Sequence, residues 1–545
     1  MTKSDIVRRV TLATDTAIDG GANDGKERLV VPPTPVASMA IPQTPHMSAT
    51  RSLPTVVASF CLWFGHLRDV FGLQFLVLVS MVYFVQGFGS FSGLSVSFLM
   101  KDTMHLQPVE SQAILTTAAF PWSIKPLFGI LSDSLPLCGY RRKSYLIGIN
   151  LLGCLATFLL HDVSAGTSVS WLTILLLCTR LATAMSDVII DALVVERARL
   201  DPLNGIRQRT RYVERAAFHN VDALGANDLQ SLTWSVMAVG GILGSLLAGP
   251  ATSHLGPHTV FILAAIAPCI VLALATLMQE DRCDRLARGC STLASEQVKL
   301  VWTTLKVPVI WKSVVFMFVS QACTPSFDQI QFYYAVEVLK FSPEFLGNVG
   351  ALGFVFLLVG TLVYNAWFKV MPFRAILMRA QICLAVVSVS EVLLVTRSNI
   401  KMGISDGWFV LLESMFGEVV GRLIGMPVLV LCAKLCPRGI EGTFFALLMA
   451  NMNLSYTVSG YWGAILADWL GIASQKYDLL WVAILIRSSM MLLPLGFLWM
   501  LPDHDPADEV EVATRHTVVP ATDDVTINDD DEAGMLGDKK QRSDV

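Results

Sequence analysis

The sequence has few charged residues for its length and lacks the short motifs that mark the common enzyme classes. Asp, Glu, Lys and Arg make up 15% of its 545 residues, whereas soluble proteins carry about 25%. It contains no phosphate-binding glycine loop, no HExxH metal spacing and no nucleophile elbow. We therefore expect no enzymatic activity, no metal or other cofactor, and no nucleic-acid partner.

Cysteine pairs of the kind that build metal sites or disulfide frameworks are missing as well. The eleven cysteines are odd in number, include no CxxC pair and lie mostly within apolar stretches. Cys432 and Cys436 share a helix face, but that spacing is more typical of packing than of metal binding. We expect neither a metal site nor a disulfide framework.

What the sequence does have is a series of long apolar stretches. Hydrophobic residues make up 53% of the chain, and its mean hydropathy is +0.57. A helix needs about 20 mainly apolar residues to cross a bilayer, and we predict twelve such spans. They cover approximately residues 72–100, 110–132, 144–161, 171–196, 230–250, 257–278, 313–338, 345–366, 374–395, 408–434, 442–470 and 478–500. The sequence predicts an all-α, multi-pass membrane protein.

The distribution of Lys and Arg predicts how the chain is oriented and divided. Both are concentrated in the even-numbered connections and the central loop, which places these segments and both termini in the cytosol by the positive-inside rule. We predict a disordered N-terminal tail that ends in an interfacial helix, a first six-helix half, a central cytosolic loop, a second six-helix half and an acidic disordered tail. These regions are residues 1–70, 71–278, 279–312, 313–500 and 501–545. No address motif indicates which membrane, plasma or organellar, holds the protein.

The ends of spans two and eight repeat one pattern. "GILSDSLPLCGYRRKSYL" follows span two, and "GTLVYNAWFKVMPFR" follows span eight. The first resembles the G-x-L-x-D…G-x-R-[RK] loop of the major facilitator superfamily, with Asp133, Arg141 and Arg142 at the charged positions; the second is a degraded copy. Two six-helix halves of this type imply a transporter with a site near the midplane between the halves.

Further segments narrow the resemblance to one branch of that superfamily. They are "PWSIKPLFGILSD", "SDVIIDALVVERAR", "NDLQSLTWSVMAVGGI", "TPSFDQIQFYYAVEVLKFSPEFLG" and "PRGIEGTFFALLMANMN". Together they resemble the folate-biopterin transporter family across residues 71 to 500. The resemblance implies uptake of folates or pterins such as biopterin by secondary active transport, with protons as the coupled ion. Transport of another metabolite such as S-adenosylmethionine, or sensing of a pterin without transport, remains an alternative.

Charged residues within span four raise two interpretations. Arg180, Asp187 and Asp191 fall on one helix face, and each charge in a span calls for a partner or water. In one interpretation Arg180 anchors an anionic substrate and pairs with Asp187, a proton or pterin ligand. In the other, acids of this span clamp a cytosolic gate near the loop after span two. The predicted gating latch comprises Asp133, Arg141, Arg142, Asp191 and Glu196.

Polar residues in other spans complete the predicted substrate-binding and coupling set. A folate has a pteridine edge with hydrogen-bond donors and acceptors and two carboxylates, so its site needs acids or amides, a guanidinium and aromatic rings. We expect Lys125 to serve structure or substrate and to pair with an acid of span four or eleven. The remaining candidates, on spans seven and ten, are Asp328, Gln331, Phe332 and Arg422. Arg422 follows Glu418 by four residues, so the two side chains alternatively neutralise each other.

Overall fold

The computed structural model describes residues 63–65, 67–69, 71–200, 226–280, 282, 299–369, 371–436 and 441–502. Nearly all of the predicted tails, and much of the predicted central loop, therefore lie outside the described residues. Side chains are not described at residues 195–200, which include the predicted latch residue Glu196.

The described residues are almost wholly helical, and they contain no β-strand. We label the helices α1 to α12 in chain order. Helices α1 to α4 are Leu73–Thr103, Pro108–Asp133, Lys143–Asp162 and Val169–Leu200. One continuous stretch, Ala226–Leu277, contains α5 and α6 on either side of residue 256. Helix α7 has two parts, Pro308–Ala322 and Asp328–Glu337. Helices α8 to α12 are Pro343–Phe368, Phe373–Val395, Asp406–Lys434, Glu441–Trp469 and Leu480–Met500.

Nine helical segments in the described part of the chain are long and apolar enough to cross a membrane. One of them, Ser231–Leu277, has 47 residues and would be about 70 Å long if straight, more than twice the ~30 Å of a bilayer core. Gly256, with φ 77° and ψ 158°, interrupts it and separates two predicted spans. The nine segments thus cover ten predicted spans. Helices α7 and α11 are not among the nine, so the full count of twelve stays a prediction.

The helices alternate in direction, which gives the bundle two ends. We call the end that carries residues 135–142 and Pro502 the termini face, and the end that carries residues 104–107, 338–342 and 470–479 the far face. Each half has an apolar core of its own. Leu146 and Ile189 are fully buried in the first half, as are Phe444 and Leu448 in the second.

Glycines bring helices of the first half into close contact with one another and with the second half. A β-carbon at Gly240 of α5 would overlap the carbonyl oxygen of Phe84 in α1, and one at Gly241 would overlap the ring of Phe354 in α8. At Gly347 of α8, an added β-carbon would lie 2.7 Å from the carbonyl oxygen of Ser245. Larger side chains would push these helices apart, so α1, α5 and α8 pack at a distance that only glycine permits.

One disulfide joins Cys154 of α3 to Cys269 of α6 inside the first half. The sequence reasoning argued against a disulfide framework and did not identify this pair, because the two residues are 115 positions apart and show no motif. The pair is a single crosslink within one half. Of the remaining described cysteines, Cys432 is buried in the second half and is unpaired.

Candidate functional site

A buried ion pair joins α2 and α4. The Lys125 ammonium nitrogen lies 2.5 Å from Oδ2 of Asp187, and their side chains are 11% and 7% exposed. The ring of Trp122 lies 4.2 Å from the same ammonium. Residues 120–124 form a 3₁₀ turn, after which α2 resumes at Lys125, so the lysine projects from a break in the helix. We expected Lys125 to pair with an acid of span four or eleven, and its partner is Asp187 of span four.

A second carboxylate lies one helical turn beyond the first. The hydroxyl of Tyr83, in α1, donates a hydrogen bond to Asp191. Asp191 is exposed, whereas Asp187 is buried. Asp187 thus pairs with an ammonium and Asp191 with a phenol. We call these four side chains the quartet: Tyr83, Lys125, Asp187 and Asp191. Sequence reasoning missed Tyr83, for which a lone phenol within an apolar span was the only signal.

Arg180 lies two turns before Asp187 on the same helix, but it does not pair with it. Its side chain is exposed, and it forms no hydrogen bond or ion pair with any described residue. Arg180 lines a cavity of about 140 Å³ within the first half, together with the polar side chains of Ser92, Asn150 and Thr183. The predicted Arg180–Asp187 pair is wrong, because Lys125 occupies the aspartate. The guanidinium is left without a counter-ion among the described residues.

A buried polar network in the second half links α7 to the outer helices. Gln331 donates a hydrogen bond to Glu391 of α9, and the same carboxylate pairs with Arg487 of α12. Arg487 also donates to the hydroxyl of Ser388, at 3.1 Å from its Nε. Glu391 is 7% exposed and Arg487 is 11% exposed. The amide of Gln331 is thus hydrogen-bonded to a buried carboxylate. The sequence did not point to Glu391, because no motif surrounds it.

The other predicted residues of the second half are not brought together. Asp328 is exposed at the start of the second part of α7, where it accepts a 2.8 Å hydrogen bond from the hydroxyl of Ser326. The ring of Phe332 packs edge-on against Phe98 of α1, with 5.1 Å between centroids. Arg422 forms no ion pair with Glu418 or with any other described residue. A substrate role for these residues stays a prediction.

Hydrogen bonds join the two halves near the far face. Ser111 of α2 lies 2.8 Å from the hydroxyl of Tyr333, which in turn donates to the carbonyl oxygen of Leu106. The backbone nitrogen of Gln329 donates to the side chain of Gln112 at 2.8 Å. These contacts bury Tyr333 completely and close the bundle at this end.

The loop between α11 and α12 adds to this closure. The carboxylate of Glu337 accepts hydrogen bonds from Ser474 Oγ at 2.6 Å, the Gln475 backbone at 2.8 Å and the Tyr477 hydroxyl at 2.7 Å. The backbone nitrogen of Ser474 also donates to Gln107 of the first half, at 3.0 Å. Burial, and next the hydrogen bond to Glu337, raise the pKa of Tyr477, so its hydroxyl stays a donor.

On the termini face, one carboxylate organises the loop that precedes α3. Glu280, just after α6, accepts hydrogen bonds from the backbone nitrogens of Arg141 at 3.0 Å, Arg142 at 3.0 Å and Lys143 at 2.7 Å. A carboxylate at a helix N-terminus satisfies backbone donors that have no partner within the helix. Sequence reasoning did not select Glu280.

The same loop contains part of the predicted latch. Arg142 pairs with Asp133 and donates a 2.7 Å hydrogen bond to Ser132. Asp191 lies with Tyr83 instead of with this loop, so the predicted clamp between Asp191 and the basic cluster is not formed. Whether Asp133, Arg141 and Arg142 act as a latch stays a prediction.

Polar contacts between the halves are restricted to one side of the bundle. Two hydrogen bonds between described residues of the two halves lie nearest the termini face. Asn453 donates to the carbonyl oxygen of Trp122 at 3.1 Å, and the hydroxyls of Thr457 and Ser123 lie 3.2 Å apart. The hydroxyls of Thr117 and Tyr461, 2.7 Å apart, also join the halves. Within the described ranges, no hydrogen bond or ion pair joins the halves closer to the termini face than those of Asn453 and Thr457. In the same ranges, no three His, Cys, Asp or Glu side chains are grouped as metal ligands. The candidate site therefore consists of charged side chains that pair within each half, and the two halves are hydrogen-bonded to each other toward the far face.

The sequence matches one family along most of its length. The model of the BT1 family matches residues 86–207 and 205–518. The chain is 38% identical over 432 residues to a folate-biopterin transporter of Synechocystis sp., with 79% of this chain and 82% of that protein covered. It is 34% identical over 499 residues to probable folate-biopterin transporter 4 of Arabidopsis thaliana, with 81% and 98% covered.

Solved transporter structures share the fold at low sequence identity. A D-xylose–proton symporter matches with a TM-score of 0.57 and 14% identity, over 79% of this chain and 98% of that one. A nucleoside transporter matches with a TM-score of 0.56 and 12% identity, over 79% and 99%. The fold is that of a major facilitator superfamily transporter, as the sequence predicted.

Proposed function

The chain belongs to the BT1 family, and on that premise we propose that it carries a folate or a related pterin across a membrane by alternating access between its two halves. Transport, and not catalysis, is the activity that its relatives' names and the fold support. The two halves act as the moving bodies, and the substrate site includes the cavity of the first half that Arg180 lines.

The observation that carries this proposal is the unpaired guanidinium of Arg180. A charge within a membrane-spanning helix is costly unless a partner or water accompanies it, and Arg180 has no ion-pair partner among the described residues. A guanidinium binds a carboxylate through two parallel hydrogen bonds. An anionic substrate such as folate, which carries two carboxylates, would supply the missing partner.

The quartet is the site that we assign to proton coupling. Lys125 already neutralises Asp187, which leaves Asp191 with an uncharged partner, the Tyr83 hydroxyl. Asp191 is therefore the carboxylate best suited to take up a proton in one state and release it in the other. Asp187, which the sequence favoured for this role, serves in our proposal to hold Lys125 in place.

The direction of opening follows from where the halves are joined. The hydrogen bonds between them lie toward the far face, so the access route runs to the termini face. We assign the termini face to the cytosol, as the positive-inside rule predicts. The structure then corresponds to an inward-facing state, with the substrate route open to the cytosol and closed to the other side.

Uptake of folate into liposomes by the purified protein tests the transport proposal. Arg180→Leu should abolish uptake and binding of folate, because it removes the proposed anchor. Arg379→Leu is the matched control, because it makes the same change at an exposed position of α9. This variant should keep both the uptake and the binding of folate. If Arg180→Leu transports folate normally, Arg180 is not the anchor. Parallel assays with biopterin and S-adenosylmethionine identify the substrate class, and binding without flux would indicate a sensor.

A pH gradient across the same liposomes tests the coupling proposal. Asp191→Asn should exchange folate across the membrane but lose accumulation driven by the pH gradient, since an amide takes up no proton at this position. If Asp191→Asn still accumulates folate and Asp187→Asn does not, Asp187 and not Asp191 is the proton-coupling residue. Loss of exchange in Asp191→Asn would instead assign Asp191 to substrate binding.

A further inference from the structure

The second half carries a short helix that does not run across the membrane. Residues Lys299–Leu305 form a helix that meets the first part of α7 at an angle of 84°. Since α7 runs along the bundle, the short helix lies across its end, parallel to the membrane surface. Leu300, Val301 and Leu305 pack against the core of the second half, and one face of the helix points away from the protein.

The outward face combines tryptophan with lysine. Trp302 is 62% exposed, and Trp499, at the end of α12, is 60% exposed. The Lys306 ammonium lies 5.6 Å from the centre of the Trp302 ring, and the Lys312 ammonium lies 5.8 Å from that of Trp499. Tryptophan is enriched where the bilayer meets water. The two lysines are therefore held at the depth of the lipid headgroups.

No acidic side chain neutralises this surface among the described residues. The sequence has no Asp or Glu from Lys299 to Phe327. Lys299, Lys306 and Lys312 form no ion pair with any described residue. Clusters of basic residues at a membrane surface attract anionic lipids, and amphipathic helices with aromatic and basic residues lie within the interface.

We propose that this surface, formed by Lys299, Trp302, Lys306, Lys312 and Trp499, binds the headgroup of an anionic phospholipid. The tryptophan rings lie beside the upper acyl chains, and the ammonium groups face the lipid phosphate. The bound lipid fixes the angle between the short helix and α7, and so stabilises the second half at the termini face. Neither substrate nor coupling ion is involved, and the inference is independent of what the protein carries.

Lipid binding is measured directly by native mass spectrometry of the purified full chain in mixed detergent micelles with phosphatidylglycerol or phosphatidylcholine. The wild type should bind phosphatidylglycerol in preference to phosphatidylcholine. Replacing the three lysines by glutamine should reduce that preference by up to about fivefold for each lysine. The matched control replaces three exposed lysines at the far face of the same half, Lys340, Lys401 and Lys476, and should bind phosphatidylglycerol as the wild type does.

Three results would overturn the proposal. The first is a glutamine variant that keeps the wild-type preference while its thermal unfolding is normal. The second is an equal loss of preference in the far-face control, which would reflect net charge and not a site. The third is a preference for phosphatidylglycerol that emerges only after removal of residues 503–545, which would show that the acidic segment "DDVTINDDDE", and not lipid, covers this surface. A second variant, Trp302→Ala, should weaken binding with all charges kept.

Discussion

The ion pair between Lys125 and Asp187 should be the most costly of the charged pairs in the first half to break. Both side chains are about nine-tenths buried, and their charged atoms are 2.5 Å apart. Removing one partner of a buried pair costs about 3–5 kcal/mol, because the other charge stays buried and uncompensated. Replacing both by apolar residues of similar size is often neutral.

The two single variants should differ in magnitude. Lys125→Met leaves Asp187 and Asp191 one turn apart on α4 with no cation from α2 beside them, so we expect a loss near ~5 kcal/mol. Asp187→Leu leaves the ammonium with Asp191 as the nearest acid in the quartet, so we expect a loss nearer ~3 kcal/mol. The double variant should unfold within about 1–2 kcal/mol of the wild type, which gives a coupling energy of several kcal/mol.

Reversible unfolding in mixed micelles of sodium dodecyl sulfate and dodecyl maltoside measures these free energies. A difference of 3 kcal/mol changes the unfolding constant by about 150-fold, well above the error of the assay. Arg180→Leu is the control, and we expect it to cost under ~1 kcal/mol because Arg180 has no ion pair to lose. If the effects of the two single variants simply add in the double variant, the pair does not contribute to stability as we argue.

The remaining expectations concern the two ends of the bundle. A β-carbon on Gly460 would lie 3.3 Å from that of Thr116 in the other half, close to the separation that a disulfide needs. A disulfide between cysteines placed at Thr116 and Gly460 should stop transport until it is reduced, because it ties the halves together toward the far face; each single cysteine variant is the control, and transport by the oxidised double variant would contradict the closure. Glu280→Gln should lower the free energy of unfolding by about 1–2 kcal/mol while folate affinity is kept, as measured by unfolding and binding in parallel. Asp133→Asn should reduce turnover but leave substrate affinity within a few-fold, and a collapse of affinity with turnover intact would argue against the latch.

The sequence predicted the elements of this structure well because the membrane makes simple demands on a chain. Every span needs about 20 apolar residues, so span positions follow from hydropathy alone. The segment around Gly256 illustrates this, since two predicted spans, 230–250 and 257–278, correspond to one helical stretch that breaks between them. The repeated pattern after spans two and eight likewise predicted two similar halves.

Partners of charged residues were harder to predict because they depend on how separate helices are rotated and placed. Arg180 and Asp187 share a helix face, which suggested a pair, but Lys125 lies closer because α2 restarts beside Asp187. Glu391 and Arg487 are 96 residues apart, and nothing in their local sequences marks them as partners. A helix-face argument therefore identifies which side chains need a partner and does not identify the partner.

The contacts within and between the halves also indicate what has to change during transport. Gln331 and Glu391, like Lys125 and Asp187, form their bonds within one half, so a rigid movement of the halves leaves both networks intact. The bonds of Tyr333 to Ser111 and Leu106, and that of Gln107 to Ser474, cross between the halves. Opening the far face must break these bonds and expose Tyr333, which is fully buried here. These are neutral hydrogen bonds, and each contributes about 0.5–1.5 kcal/mol. The binding energy of a substrate that contacts both halves can offset their loss. Breaking a buried ion pair would cost more free energy than any one of these hydrogen bonds contributes.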